Sequence, residues 1–173
     1  MRESQGITMI ELLVVVALAA ILISATVVVA APWLAREEMR SAVNEVNGYL
    51  QLARIEAVRR NHECRFVVDR NTSALRVLDT LGTSSLADDV VLHRRTLRGA
   101  VAFARPDIGE PVTLDQIGAT PSYHTVFTAD GMVDSGTGTV YLGGGGEFGS
   151  VSVYAAGGTE LERWNGTSWQ LGF

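Results

Sequence analysis

The chain has 173 residues, 47% of them hydrophobic, and a formal net charge of −5. That length suits one compact domain, or a small domain with an appendage, and so much apolar content excludes a disordered chain. The single long apolar run excludes a polytopic membrane protein, and a pI near 5.2 disfavours a nucleic-acid binder driven by bulk charge.

The mean hydropathy of +0.18 averages unlike parts. Residues 7–31 hold 21 hydrophobic side chains, and from Leu12 to Ala31 there is no charge, with only Ser24 and Thr26 polar. As a helix rising about 1.5 Å per residue, this run measures roughly 30 Å, the thickness of a bilayer core. A cleaved secretory signal fits it poorly. Arg2 is offset by Glu3, the apolar core is too long, and the best cleavage site, Val29-Ala30-Ala31, runs into Pro32. An ordinary anchor fits the length but leaves Glu11 unexplained. A carboxylate costs about 2.5–3.5 kcal/mol at a bilayer centre and less near its edge, so it calls for a partner.

The stretch Gly6-Ile7-Thr8-Met9-Ile10-Glu11-Leu12-Leu13-Val14-Val15 resembles the processing and assembly motif of type IV prepilins and type II secretion pseudopilins. The resemblance implies a leader of residues 1–6, cut between Gly6 and Ile7 by a prepilin peptidase on the cytoplasmic side. It also implies N-methylation of Ile7 and a role for Glu11 in subunit assembly. The chemistry is coherent: cleavage creates an ammonium in an apolar setting, where a neighbouring subunit's carboxylate can pair with it. In low dielectric such a pair fixes axial register, because either charge left alone is costly. Ile7 stands where that family usually carries Phe, and Glu3 is an atypical leader residue.

After Pro32 the pattern turns amphipathic. Met39, Ala42, Val43, Val46, Leu50, Ala53, Ala57 and Val58 fall mostly three or four apart, which predicts a helix to about Asn61 with one face on a core. Pro32 removes a backbone hydrogen bond and should kink it, and Asn44, Asn47 and Gly48 should weaken its middle. The stretch from Leu52 to Asn61 (Leu-Ala-Arg-Ile-Glu-Ala-Val-Arg-Arg-Asn) is similar to the end of the first helix in the GspH/FimT group of minor pseudopilins and minor pilins.

Beyond residue 62 the signals are β. Glu63–Asp69 and Ala74–Leu78 read as a hairpin across Arg70-Asn71-Thr72-Ser73. Further strands are expected at Val90–Arg94, Ala100–Ala104, Thr125–Thr128, Thr139–Leu142 and Val151–Ala155. Trp164-Asn165-Gly166-Thr167-Ser168-Trp169 reads as a terminal hairpin. The fold class is therefore α+β. The resemblance makes it type IV pilin-like, with a long N-terminal helix packed on a C-terminal antiparallel β-sheet head. The expected organisation is a leader (1–6), a transmembrane or filament-core helix (7–31), the amphipathic half of that helix (32–61) and a β-rich periplasmic head (62–173).

No catalytic constellation emerges. All 14 basic residues are arginine, which excludes lysine nucleophile chemistry. Cys64 has no partner for an internal disulfide and is expected to be a buried small side chain. His62, His93 and His124 show no paired metal spacing, and Asp130 and Asp134 lack a calcium-loop pattern. Gly143–Gly146 lacks the lysine of a phosphate loop, and no Gly-x-Ser-x-Gly elbow occurs. We expect no enzyme activity, no cofactor and no metal.

Charge is unevenly spread: residues 59–105 carry nine Arg against five acids, and residues 107–173 one Arg against eight. This could let the basic side of one head, including Arg94, Arg95 and Arg98, dock on the acidic side of a neighbour. Some FimT-like pilins take up DNA through arginines near the C-terminus. Here Gly157-Gly158-Thr159-Glu160-Leu161-Glu162 puts acids there, so nucleic acid is disfavoured.

The expectation is a minor pseudopilin of the type II secretion pseudopilus. The alternative is a FimT-like minor pilin of a type IV pilus, serving assembly or DNA uptake. Its implied partners are other pseudopilins or pilins, the prepilin peptidase and an inner-membrane assembly platform. Its implied place is the bacterial inner membrane, single-pass, with the N-terminus cytoplasmic and the head periplasmic.

Overall fold

The structure is a computed structural model that describes residues 8–83 and 85–172, with the backbone alone for residues 24–29. One helix, α1 (Met9–Arg60), precedes ten strands, and the chain divides between Leu34 and Ala35 into two units. The first unit holds the start of α1, where Met9, Ile10, Leu12 and Leu13 are exposed. Among the described residues no helix is long and apolar enough to cross a membrane. Pro32 lies inside α1, which stays helical through it.

In the second unit, the rest of α1 carries the expected stripe. Met39, Ala42, Val43, Val46, Leu50, Ala53 and Ala57 are all buried. Val58 is the exception at 52% exposed, since one step past Ala57 turns it off the buried face. The helix is unbroken at Asn44, Asn47 and Gly48, so packing outweighs the weak local propensity. Asn47 also has a partner, its Oδ1 accepting from Thr159 Oγ1 at 2.7 Å. Past Arg60 the chain leaves the helix through Asn61, whose φ of 57° is the left-handed conformation common at helix ends.

Two antiparallel sheets cover the stripe. The first contains β1 (Cys64–Asp69), β2 (Ala74–Asp79), β3 (Val90–Thr96), β4 (Asp115–Gln116), β5 (Ser122–Phe127) and β6 (Val133–Ser135). Its order is β3-β2-β1-β5-β4, with β6 also pairing β5. The second contains β7 (Gly138–Gly144), β8 (Glu147–Val153), β9 (Thr159–Trp164) and β10 (Trp169–Leu171), in the order β10-β9-β8-β7. Phe66, Val68, Leu75, Val77 and Phe127 from the first sheet join Val140, Leu142, Val151 and Val153 from the second in one core with the helix stripe. The expected hairpins over residues 64–78 and 164–169 form, and in the latter Trp164 pairs with Trp169.

The expected strand Ala100–Ala104 does not form. That segment makes one isolated bridge, Ala102 to Gly143. It crosses so close to β7 that a Cβ on Gly144 would lie 2.7 Å from the Ala100 carbonyl oxygen. Strand β9, short β4 and short β6 were not foreseen as separate elements.

The end of α1 is tied to the first sheet by charge. Glu56 is buried, and its Oε2 accepts from Arg59 Nη2 at 2.6 Å and from Arg60 Nε at 3.0 Å. Arg60 Nη1 donates onward to Asp79 Oδ2 at 2.6 Å, and Asp79 is the last residue of β2. Burial alone would raise the Glu56 pKa, but the hydrogen bonds and charges of Arg60 and Arg59 outweigh it and hold the carboxyl below its usual value.

Two sets of variants test this packing. Gly136 has a φ of +77°, and a Cβ there would lie 2.0 Å from the His124 carbonyl oxygen. Gly136→Ala should therefore cost about 2–4 kcal/mol in chemical denaturation followed by tryptophan fluorescence. Gly48 is helical with open space around it, so Gly48→Ala should instead gain about 1 kcal/mol. Glu56→Gln should cost about 1–3 kcal/mol at neutral pH. A depressed folded-state pKa stabilises above the unfolded value and loses that contribution as pH falls through the folded value. The gap between wild type and Glu56→Gln should accordingly narrow as pH falls below the ordinary glutamate value of about 4.3 and close once the depressed folded value is passed.

Candidate functional site

The N-terminal site is built on the start of α1. Thr8 precedes the helix, and its Oγ1 accepts the backbone N–H of Glu11 at 3.3 Å while its carbonyl accepts that of Leu12 at 3.2 Å. Thr8-Met9-Ile10-Glu11 thus has the spacing of a capping box, with the threonine half in place. Glu11 lies in the first turn, where a carboxylate interacts favourably with the helix dipole. Gly6 and Ile7, the expected cleavage pair, lie outside the described residues.

At the other end of α1, the Leu52–Asn61 stretch finds a role for nearly every residue. Ala53 and Ala57 are fully buried, and their small size lets the helix approach the sheets closely. Arg54 Nη1 donates to the Gly157 carbonyl at 3.2 Å. A Cβ on Gly131 or Gly157 would come 3.0 or 3.1 Å from Arg54 Nε, so two glycine turns form the cradle that receives the guanidinium. Gln51 Nε2 donates to Thr159 Oγ1 at 3.1 Å, which fastens the same helix face to β9.

His62 and Cys64 continue the chain into β1. His62 Nδ1 is 3.1 Å from the Glu63 carbonyl oxygen, and its Nε2 is 3.5 Å from Asp79 Oδ1. Cys64 pairs with Asp79 across the β1–β2 ladder and is fully buried, as the alternation predicted. Burial pushes its thiol up to about 11, with Asp79 adding to the effect, so with no ion beside it the group is protonated at neutral pH. His62, Cys64 and Asp79 bring one ligand-type atom each to within 4.8 Å of one another. Sequence spacing missed this grouping because Asp79 arrives from the neighbouring strand. The readable signal was His62-x-Cys64, two positions that share a face of an extended chain.

The other candidates stay apart. His93 Nε2 is 4.0 Å from Glu56 Oε1, and burial followed by the charge of Arg65 lowers the pKa of His124 on β5. Asp130 closes the turn before β6, accepting from the Thr128 hydroxyl and from Met132 N. Of the nine arginines in the basic middle, Arg59, Arg60, Arg65, Arg70, Arg95 and Arg105 form ion pairs within the head. Arg95 Nε holds Glu45 Oε1 at 2.5 Å and so serves the fold, which leaves Arg94 and Arg98 as the less committed charges of the expected docking face.

Residues 42–157 match the family model described as type II transport protein GspH, and residues 1–27 match that of the prokaryotic N-terminal methylation motif. No curated protein sequence matches the chain. Among solved structures, the type IV minor pilin FimU of Pseudomonas aeruginosa is similar over 73% of this chain and 90% of its own, at 23% identity and a TM-score of 0.51. The minor pseudopilin EpsH of the type 2 secretion system of Vibrio cholerae is matched over 78% of this chain and 95% of its own, at 13% identity and a TM-score of 0.39. The FimU likeness concerns the fold, a helix packed on antiparallel sheets. The GspH model covers well over half of the sequence, and on that ground the chain belongs to the GspH family of type II transport proteins.

Proposed function

We propose that this protein is a minor pseudopilin, a structural subunit of the type II secretion pseudopilus, rather than an enzyme. The observation that carries the reading is the pairing of an N-terminal methylation motif over residues 1–27 with a GspH match over residues 42–157. Prepilin peptidase cuts between Gly6 and Ile7, Ile7 is N-methylated, and residues 7–31 hold the subunit in the inner membrane until it is drawn into the filament. The head faces the periplasm, and an inner-membrane platform adds the subunit to other pseudopilins.

The capping geometry gives this reading a physical basis. Cleavage would leave the new ammonium on Ile7, one residue before the N-cap Thr8. A positive charge at that end opposes the helix dipole, and the Glu11 carboxylate offsets it within the same turn. During assembly the same carboxylate can instead meet the ammonium of a neighbouring subunit, so an incoming chain seats only where the two charges align.

Intact-mass measurement of protein extracted from membranes tests the processing. Loss of residues 1–6 with one added methyl group is expected, and an uncut N-terminus would sink the proposal. Glu11→Ala should still be cut but should lose crosslinks to neighbouring subunits. A deletion strain should lose protein secretion and keep its surface pili; the reverse result would assign the chain to a type IV pilus.

A further inference from the structure

The junction between α1 and β1 brings an imidazole, a thiol and a carboxylate together at the end of the core. His62 Nδ1 lies 3.1 Å from the Glu63 carbonyl oxygen, which can only accept, so Nδ1 carries the proton. The other ring nitrogen, Nε2, then presents a lone pair whenever the ring is neutral. It faces Asp79 Oδ1 at 3.5 Å, another acceptor. Two acceptors set face to face call for a positive charge between them, either a proton on Nε2 or a metal ion. Beside them is the thiol of Cys64, held opposite Asp79 by the β1–β2 register.

We propose that His62 Nε2, Cys64 Sγ and Asp79 Oδ1 form a binding site for a divalent transition-metal ion, zinc above all. Each of the three residues brings one ligand-type atom to within 4.8 Å of the others, and Nε2 to Oδ1 is 3.5 Å. Tetrahedral zinc with bonds of about 2.0–2.3 Å separates its ligand atoms by about 3.3–3.8 Å, so small side-chain shifts close the site. One nitrogen, one sulfur and one oxygen donor suit zinc and not calcium or magnesium, which take oxygen ligands.

The surroundings already supply the supporting shell. The carbonyl that orients His62 is itself fixed by Thr80 Oγ1 at 2.7 Å, and a metal-bound histidine normally donates its second N–H in this way. Asp79 is held through Oδ2 by Arg60 and accepts the Leu81 N–H at Oδ1, 2.8 Å away, which leaves a lone-pair direction on Oδ1. One thiolate and one carboxylate neutralise the two charges of the ion. Arg60 keeps its contact to Glu56, which it shares with the largely exposed Arg59. As the zinc–sulfur bond forms, the thiol's S–H bond breaks and its proton leaves to water. A bound ion would clasp the first residues after α1 to both strands of the first hairpin, and a water molecule would complete its coordination.

The test uses the untagged full-length protein in detergent, stripped with a chelator and returned to metal-free buffer. Titration with zinc chloride should give one ion per chain at micromolar metal, counted by native mass spectrometry. Cobalt(II) chloride should give the intense visible bands of a tetrahedral site and a thiolate-to-cobalt charge-transfer band. Cys64→Ser should abolish the charge-transfer band and weaken zinc binding at least tenfold. His62→Gln, at a partly exposed position, should weaken it comparably and covers the case in which the buried cysteine variant fails to fold. Absence of stoichiometric zinc would reduce the arrangement to a His62–Asp79 ion pair and overturn the proposal. Zinc binding unchanged in either folded variant, or an octahedral cobalt spectrum without a thiolate band, would overturn it equally.

Discussion

One face of the second half of α1 has to be kept dry, and the rest of the head is organised around that need. Met39, Val43, Val46 and Leu50 offer bulky apolar surface, while Ala42, Ala53 and Ala57 offer almost none. Each large side chain gains about 1.5–3 kcal/mol when fully buried, so the bulky stretch rewards any cover it finds. The alanine stretch gains little by area and instead permits close approach. A helix this long presents too much surface for one sheet of short strands. The first sheet supplies Phe66, Val68 and Leu75, the second Val140, Leu142 and Val151, and the segment between β3 and β4 adds Leu97, Val101 and Val112.

Polar groups then decide where along the helix each cover sits. Apolar contact is not directional, and a sheet could slide by a turn at modest cost. Arg54 seats only between the two glycine turns at Gly131 and Gly157. Glu56 holds two arginines, one of which reaches Asp79 on β2. A slip in register would strand these buried or half-buried charges, so they fix what the hydrophobic stripe leaves free. Both devices lie within two turns of the helix end, in the stretch whose sequence carried the family resemblance.

How much of this was legible depended on whether the signal was local. The helix could be read from its 3.6-residue period, and the hairpins over 64–78 and 164–169 from alternation around turn residues. Cys64 was placed correctly because its alternating neighbours fixed its face. Ala100–Ala104 was misread because a short apolar run looks the same as a strand or as a loop pressed on a sheet edge. Close approach at Gly143 and Gly144, far along the chain, decided between them. The cluster of His62, Cys64 and Asp79 was hidden for the same reason, since one member comes from another strand. The charge asymmetry was visible as a sum, but the sum overstated the free charge, because most of those arginines are spent on carboxylates nearby.

Strand β3 lies at one edge of the first sheet, and it is exposed along most of its length. Its outer edge offers unsatisfied backbone groups, the usual template on which a second sheet nucleates. Val90 and Val91 at its start would favour such growth; Arg94 opposes it, since a second copy paired in parallel register would bring like charge alongside, whereas Arg95 is already held by Glu45. In a filament that crowds many heads together, an open edge of this kind would invite fusion between sheets. Arg94 would work against such fusion, which would leave contact among heads to surfaces that can be made and unmade.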